Sequence, residues 1–85
     1  MADMTIYTTR RSVDCDRAKR FLDDEGIFYD EVDIEKSPDD AVRVKSANRG
    51  RPIVPTFEVG GEMFSLEPFD IKKLMRELEK RGIDE

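Results

Sequence analysis

The amino-acid sequence predicts a single small α/β domain, residues 1–85, in which a four-stranded mixed sheet carries three helices. Three observations point there. Short β-branched or apolar runs alternate with stretches of helical periodicity, in the order β-α-β-α-β-β-α. Gly60-Gly61 separates two strand-like runs by a two-residue turn, which makes those strands antiparallel neighbours. A strand, a helix and a second strand come first, and such a unit closes as a parallel pair with a right-handed crossover. A mixed sheet with helices on both faces follows.

Met4 to Thr8 alternates apolar and β-branched residues and reads as a buried strand. Polar Thr9-Arg10-Arg11 leads into Ser12, a favoured helix cap, and Asp14 and Asp16 complement the dipole of the first turn. Cys15, Ala18, Phe21 and Leu22 then share one face, and Gly26 is expected to cap the helix in a left-handed conformation. Ile27 to Asp33 is predicted as the second strand. Ser37-Pro38-Asp39-Asp40 starts a second helix, with Ala41, Val42 and Val44 as its apolar residues and Gly50 closing it. Val54 to Val59 and Glu62 to Ser65 are the third and fourth strands. Pro68 is expected to open a last helix whose Ile71, Leu74, Met75 and Leu78 face the core, and Gly82 stops it. The tail Arg81 to Glu85 is expected to fray.

Composition excludes several functions. Fifteen basic against 20 acidic residues give a net charge of -5, with 41% of the chain charged. That surface favours a soluble monomer and has no general attraction for nucleic acid. One cysteine and no histidine exclude an internal disulfide and a self-contained zinc site, so no metal is expected. No apolar run approaches the roughly 20 residues of a membrane span. Met1-Ala2-Asp3-Met4 enters a strand without a basic and apolar leader, so a cytoplasmic location is expected. A domain of this size buries about 60–65% of its unfolded surface, and its core is thin.

The chemistry concentrates in Ser12-Val13-Asp14-Cys15, between the first strand and its helix. A Cys-x-x-Cys there would be a dithiol able to open and close a disulfide. Here a hydroxyl stands first and only the second position keeps a thiol. A serine hydroxyl needs an adjacent base to become a nucleophile, and the chain has no histidine, so Ser12 reads first as a helix cap. Cys15 lies one turn in, where the dipole acts less strongly. It is either a small inert core residue or a single thiol that forms mixed disulfides slowly. Arg10, Arg11 and Arg17 would favour its thiolate, and Asp14 and Asp16 oppose it.

The order of elements, with this motif after the first strand, resembles the glutaredoxin family of thioredoxin-like proteins over nearly the whole chain. Thr5-Ile6-Tyr7-Thr8-Thr9, Ser12 to Cys15 with Arg17-Ala18-Lys19, and Tyr29 to Glu35 carry the resemblance. So do Ser46-Ala47-Asn48 with Gly50, Val54-Pro55-Thr56 and Gly60-Gly61. Within the family the chain looks most like the mycoredoxins and other small bacterial redoxins. The resemblance puts the family's nucleophilic cysteine on Ser12 and its resolving cysteine on Cys15. It makes Val54-Pro55 the cis-proline site, whose preceding backbone pairs with glutathione or a substrate. Ser65-Leu66-Glu67-Pro68 departs from the Gly-x-Asp-Asp loop with which many members hold a glutathione carboxylate.

Arg10, Arg11, Arg49 and Arg51 are the basic residues near this cleft, and arginine binds carboxylates with a two-bond fork. Glutathione carries two carboxylates. The implied function is a glutaredoxin-like thiol–disulfide oxidoreductase acting on glutathione-type or protein mixed disulfides, with no bound cofactor and a small thiol as co-substrate. Disulfide-bearing proteins are its expected partners. Ser12 makes it impaired or single-thiol as written. If Ser12 replaces a cysteine, position 12 attacks and Cys15 resolves; if the serine is native, Cys15 acts alone. The alternative is a redox-inactive module that binds glutathione, a peptide or a partner protein at the same cleft. An iron–sulfur carrier is the weakest reading, because Ser12 is a poor ligand.

Overall fold

A computed structural model describes residues 2–83. Strand β1 (Met4–Thr8) is central, with β2 (Asp30–Asp33) parallel to it on one side and β3 (Thr56–Val59) antiparallel on the other. Strand β4 (Glu62–Ser65) pairs with β3, giving the sheet order β2-β1-β3-β4. Helices α1 (Val13–Asp24), α2 (Pro38–Ala47) and α3 (Ile71–Lys80) complete the predicted α/β architecture.

Alternation along the strands builds two cores. Met4, Ile6 and Phe57 join Ala18 and Leu22 of α1 and Leu74 and Leu78 of α3. The opposite face carries Tyr7, Ile34 and Val44, with Val32, Ala41, Val54 and Met63 packed around them. One helix pair therefore covers one face, and α2 covers the other. Phe57 and Phe64 stack with ring centroids 5.3 Å apart. Arg81 lies 4.0 Å from the centroid of Phe64 and pairs with both Glu62 and Glu77, and the Ile83 N–H bonds the Leu78 carbonyl at 2.9 Å. The tail expected to fray from Arg81 is therefore fastened to β4 and the core through Ile83, and positions 84–85 lie outside the described residues.

Several predicted boundaries move, each for a local reason. The second strand starts at Asp30 rather than Ile27. The C-terminus of α1 turns at Gly26 (φ 69°), whose N–H reaches the Asp23 carbonyl at 3.1 Å. The Ile27 N–H then bonds the Leu22 carbonyl at 2.9 Å, so Ile27 belongs to the helix cap and Phe28 is left 86% exposed. The third strand starts at Thr56 rather than Val54, because Pro55 has no N–H to give the ladder. The last helix starts at Ile71 rather than Pro68, with Asp70 as its cap accepting the Lys73 N–H at 3.1 Å. Met75, assigned to the core, is 40% exposed, and Val42, one of the apolar residues of the second helix, is 63% exposed. Leu74 and Leu78 fill the α3 face, and Met75 falls to its flank.

The second helix ends at Ala47 with Asn48 as cap, earlier than Gly50. The Gly50 N–H bonds the Lys45 carbonyl at 2.7 Å, and both Arg49 (φ 59°) and Gly50 (φ 87°) have positive φ, with Arg49 directly after the cap. Helices α1 and α3 place Gly26 and Gly82 at the equivalent position. The Gly60-Gly61 hairpin has positive φ at both residues (59° and 82°), the combination that matches the twist of two antiparallel strands.

Candidate functional site

The site forms where β1 ends. Ser12 follows four residues after the strand and caps α1 in an extended conformation (φ -85°, ψ 118°), its Oγ accepting the Cys15 N–H at 3.2 Å. The Ser12 hydroxyl thus serves the helix, as the sequence predicts. On the other side of β1, Tyr7 pairs with Thr56, and one further step of that antiparallel register sets Pro55 opposite Thr8. Sheet pairing thus brings the Ser12 to Cys15 motif and the Val54-Pro55 segment to the same end of adjacent strands. The Val54–Pro55 peptide is cis, Pro55 is fully buried, and Val54 packs on the Tyr7, Ile34 and Val44 cluster.

Cys15 is 0% exposed. Burial pushes its thiol pKa up. The Ser12 hydroxyl, the Thr9 backbone and the charge of Lys19 pull the other way, and Asp16 adds to the rise. The cation that serves Cys15 is therefore Lys19, one helical turn on, rather than Arg10, Arg11 or Arg17. Arg17 is engaged with Asp14 at 3.4 Å and lies 5.5 Å from the Phe69 ring centroid. Lys19 is held by Glu31 (3.0 Å), which also accepts the buried Thr8 hydroxyl at 2.8 Å. Burial alone would raise the Glu31 carboxyl, but the bonds from Lys19 and Thr8 outweigh it and hold it below its usual range.

The arginines divide between two recesses. Arg10 and Arg11 line one of about 440 Å³ with Asp33, Glu35 and Lys36. Arg49 and Arg51 line a second of about 270 Å³ with Ala47, Asn48, Ile53 and Glu67. Arg51 is already paired there with both carboxylate oxygens of Glu67, at 2.8 and 2.8 Å. A polar network lies behind that recess. The Asn48 side chain donates to the Val44 carbonyl (2.8 Å) and to Thr56 Oγ1 (3.1 Å), and accepts the Ser65 hydroxyl (2.7 Å). Thr56 in turn donates to the Ile53 carbonyl at 2.7 Å. The network ties the end of α2 to β3, β4 and the segment leading into Pro55.

Sequence reasoning about the site missed Lys36, Glu31 and the Asn48 network. Lys19 was accessible as the residue four after Cys15 on a helix face. Glu31 was not, since only the parallel pairing of β1 and β2 sets it beside Thr8. Among the described residues, no three His, Cys, Asp or Glu side chains group to hold a metal ion. Among the same residues, no helix is long and apolar enough to cross a membrane.

The family model for glutaredoxin matches residues 4–64, the segment that runs from β1 through the motif and the Val54-Pro55 site into β4. The chain belongs to the glutaredoxin family. A glutaredoxin candidate of Mycobacterium tuberculosis, found in strains CDC 1551 and H37Rv, is 47% identical over 55 residues. That match covers 65% of this chain and 66% of the relative, just under two thirds of its length. Among solved structures, a point variant of the thioredoxin-like protein BC3987 superposes with a TM-score of 0.76 at 25% identity, over 93% of this chain and 97% of the other. The glutaredoxin of Archaeoglobus fulgidus gives 0.73 at 23% identity, over 89% and 85%. The NrdH-redoxin of Escherichia coli gives 0.71 at 23% identity, over 86% and 91%. These likenesses establish the thioredoxin-like fold. Thiol–disulfide exchange is the type of chemistry that glutaredoxin membership supports.

Proposed function

We propose that this glutaredoxin docks mixed disulfides at the cleft between the Ser12 to Cys15 motif and the Val54-Pro55 segment, and that its exchange chemistry is impaired because position 12 carries a hydroxyl. The observation that carries this reading is the division of roles in the motif. Ser12 holds the helix start, where a thiol would be stabilised as thiolate, while the thiol that remains is wholly buried with a raised pKa. Disulfide exchange needs a thiolate that reaches the target sulfur. Cys15 meets neither requirement while α1 stays packed.

With a thiol at position 12 the steps balance. Its thiolate attacks the substrate disulfide, forming one S–S bond and breaking another, and the second sulfur leaves as thiolate. Cys15 then attacks the mixed disulfide, releases the other half of the substrate and leaves a bond between positions 12 and 15. Two equivalents of a small thiol, glutathione or a relative of it, reduce that bond. Arg10, Arg11 and Arg51 would receive carboxylates, with Arg51 exchanging Glu67 for substrate, and the backbone at Val54, before Pro55, would pair with the substrate peptide. The setting is a reducing cytoplasm, and the protein acts as a monomer.

The burial of Cys15 favours a second reading, a module that binds at the cleft without turnover. Reduction of a glutathione mixed disulfide by the wild-type chain and by Ser12→Cys, side by side, separates the two. Turnover in the variant alone supports an exchange scaffold lacking its nucleophile. No turnover in either leaves the binding module.

A further inference from the structure

We propose that the recess lined by Arg10, Arg11 and Lys36 docks an acidic segment of a protein partner. The chain is acidic overall, yet these three cations gather in one recess of about 440 Å³ and are all exposed. Their side chains make no ion pair among the described residues. The two carboxylates that share the recess are turned to the backbone. Asp33 accepts the Glu35 N–H at 2.9 Å, and Glu35 faces the Arg10 N–H at 3.5 Å. The cations are therefore left facing solvent at close quarters.

Charge complementarity selects the occupant. At physiological salt, charges interact over about 8 Å, so the recess is governed by its own lining, three cations against the carboxylates of Asp33 and Glu35, rather than by the chain's net charge of -5. Three cations contributed by two loops match several anionic groups side by side. Consecutive Asp or Glu side chains supply these in a longer row than the two carboxylates of a tripeptide. Val13, 70% exposed and next to Ser12, offers apolar contact beside the recess. The opposite recess is less suited, because Glu67 already occupies Arg51. This inference rests on the proposed cleft in placing the docked segment beside position 12 and in giving Arg10 and Arg11 carboxylates to bind, here those of a protein partner.

The test is a backbone-amide NMR titration of the full chain with a capped hexaglutamate peptide, a capped hexaglutamine peptide and glutathione. Hexaglutamate is expected to shift residues 10–13 and 33–37, and the Arg10→Gln, Arg11→Gln, Lys36→Gln triple variant to bind at least tenfold more weakly. A charge-matched control, Arg20→Gln, Lys45→Gln, Arg76→Gln, is expected to lose less than threefold. Equal weakening in both variants, or equal shifts from hexaglutamine, overturns the docking site. Glutathione shifting the same amides more strongly than hexaglutamate overturns it in favour of a small-thiol site. Turnover by Ser12→Cys is read separately. Peptide docking without turnover sinks the exchange reading alone, and turnover without peptide docking sinks this inference alone.

Discussion

Asn48 offers the sharpest test of how the cleft is held in place. Its side chain makes three hydrogen bonds, to the Val44 carbonyl, to Thr56 Oγ1 and from Ser65, at 2.7–3.1 Å. The Val44 carbonyl lies in the last turn of α2, where carbonyls lack intrahelical donors. In Asn48→Ala, Val44 and Ser65 lose these partners in a half-buried setting, while Thr56 keeps its bond to Ile53. At a net 0.5–1.5 kcal/mol per bond, the loss comes to about 2–4 kcal/mol. A chain of this length is stable by about 4–13 kcal/mol, so the effect is large. With a urea slope of about 1–1.5 kcal/mol/M, the unfolding midpoint falls by about 2 M. Asn48→Asp adds a pH signature. A carboxylate facing the Val44 carbonyl is disfavoured, so its folded pKa rises above the unfolded value. Stability relative to Asn48→Ala is then highest at low pH and is lost as pH rises through the folded pKa. A midpoint shift under 0.5 M for Asn48→Ala, or no pH dependence for Asn48→Asp, would refute this account of the network.

Arg49→Gly removes a side chain from the left-handed cap of α2 and should stabilise the protein by about 0.5–1 kcal/mol, read as a rise in the urea midpoint; a fall would show that the arginine is held by contacts of its own. Cys15 should react with iodoacetamide at pH 7.5 far more slowly in the folded protein than in guanidinium, and labelling at equal rates in both states would contradict its burial. Because the folded pKa of Cys15 is raised, its neutral form contributes full stability below the unfolded pKa of about 8.5 and loses it as pH climbs toward the folded value; a Cys15→Ala comparison across pH 7–10 checks the sign. Tyr7 donates to Glu58 at 2.5 Å while Arg43 donates to its oxygen at 2.9 Å, and burial first, then Glu58, pushes its pKa up to about 12. Tyr29 is also pushed up to about 12, chiefly by burial, so absorbance at 295 nm should show no tyrosinate step near pH 10 while the protein stays folded.

Much of the fold was legible because its signals are local. Ser12 as a cap, Gly26 as a helix stop, Pro38 at a helix start and Gly60-Gly61 as a hairpin each act within a few residues. The errors came where an adjacent element claimed a residue. Ile27 reads as strand by composition, but its N–H was taken by the cap of α1. Met75 reads as core by hydrophobicity, but Leu74 and Leu78 already fill the covered face of α3. The site was legible as a motif and a candidate set of arginines, since spacing and residue type are written in the chain. Its electrostatics were not. Whether Arg51 is free or paired depends on Glu67, sixteen residues away across the β3–β4 hairpin.

The sequence by itself determined the order of elements, the missing first thiol, the absence of histidine and the single cysteine, because each is a property of residue identity or near-neighbour spacing. Only the tertiary structure decided that Cys15 is sealed in the core, that Lys19 rather than an arginine answers its charge, and that the basic residues split into an occupied and an open recess. Burial and pairing depend on which distant segments meet. In this chain the pairing of β1 with β2 and with β3 sets those meetings, and no local pattern records them.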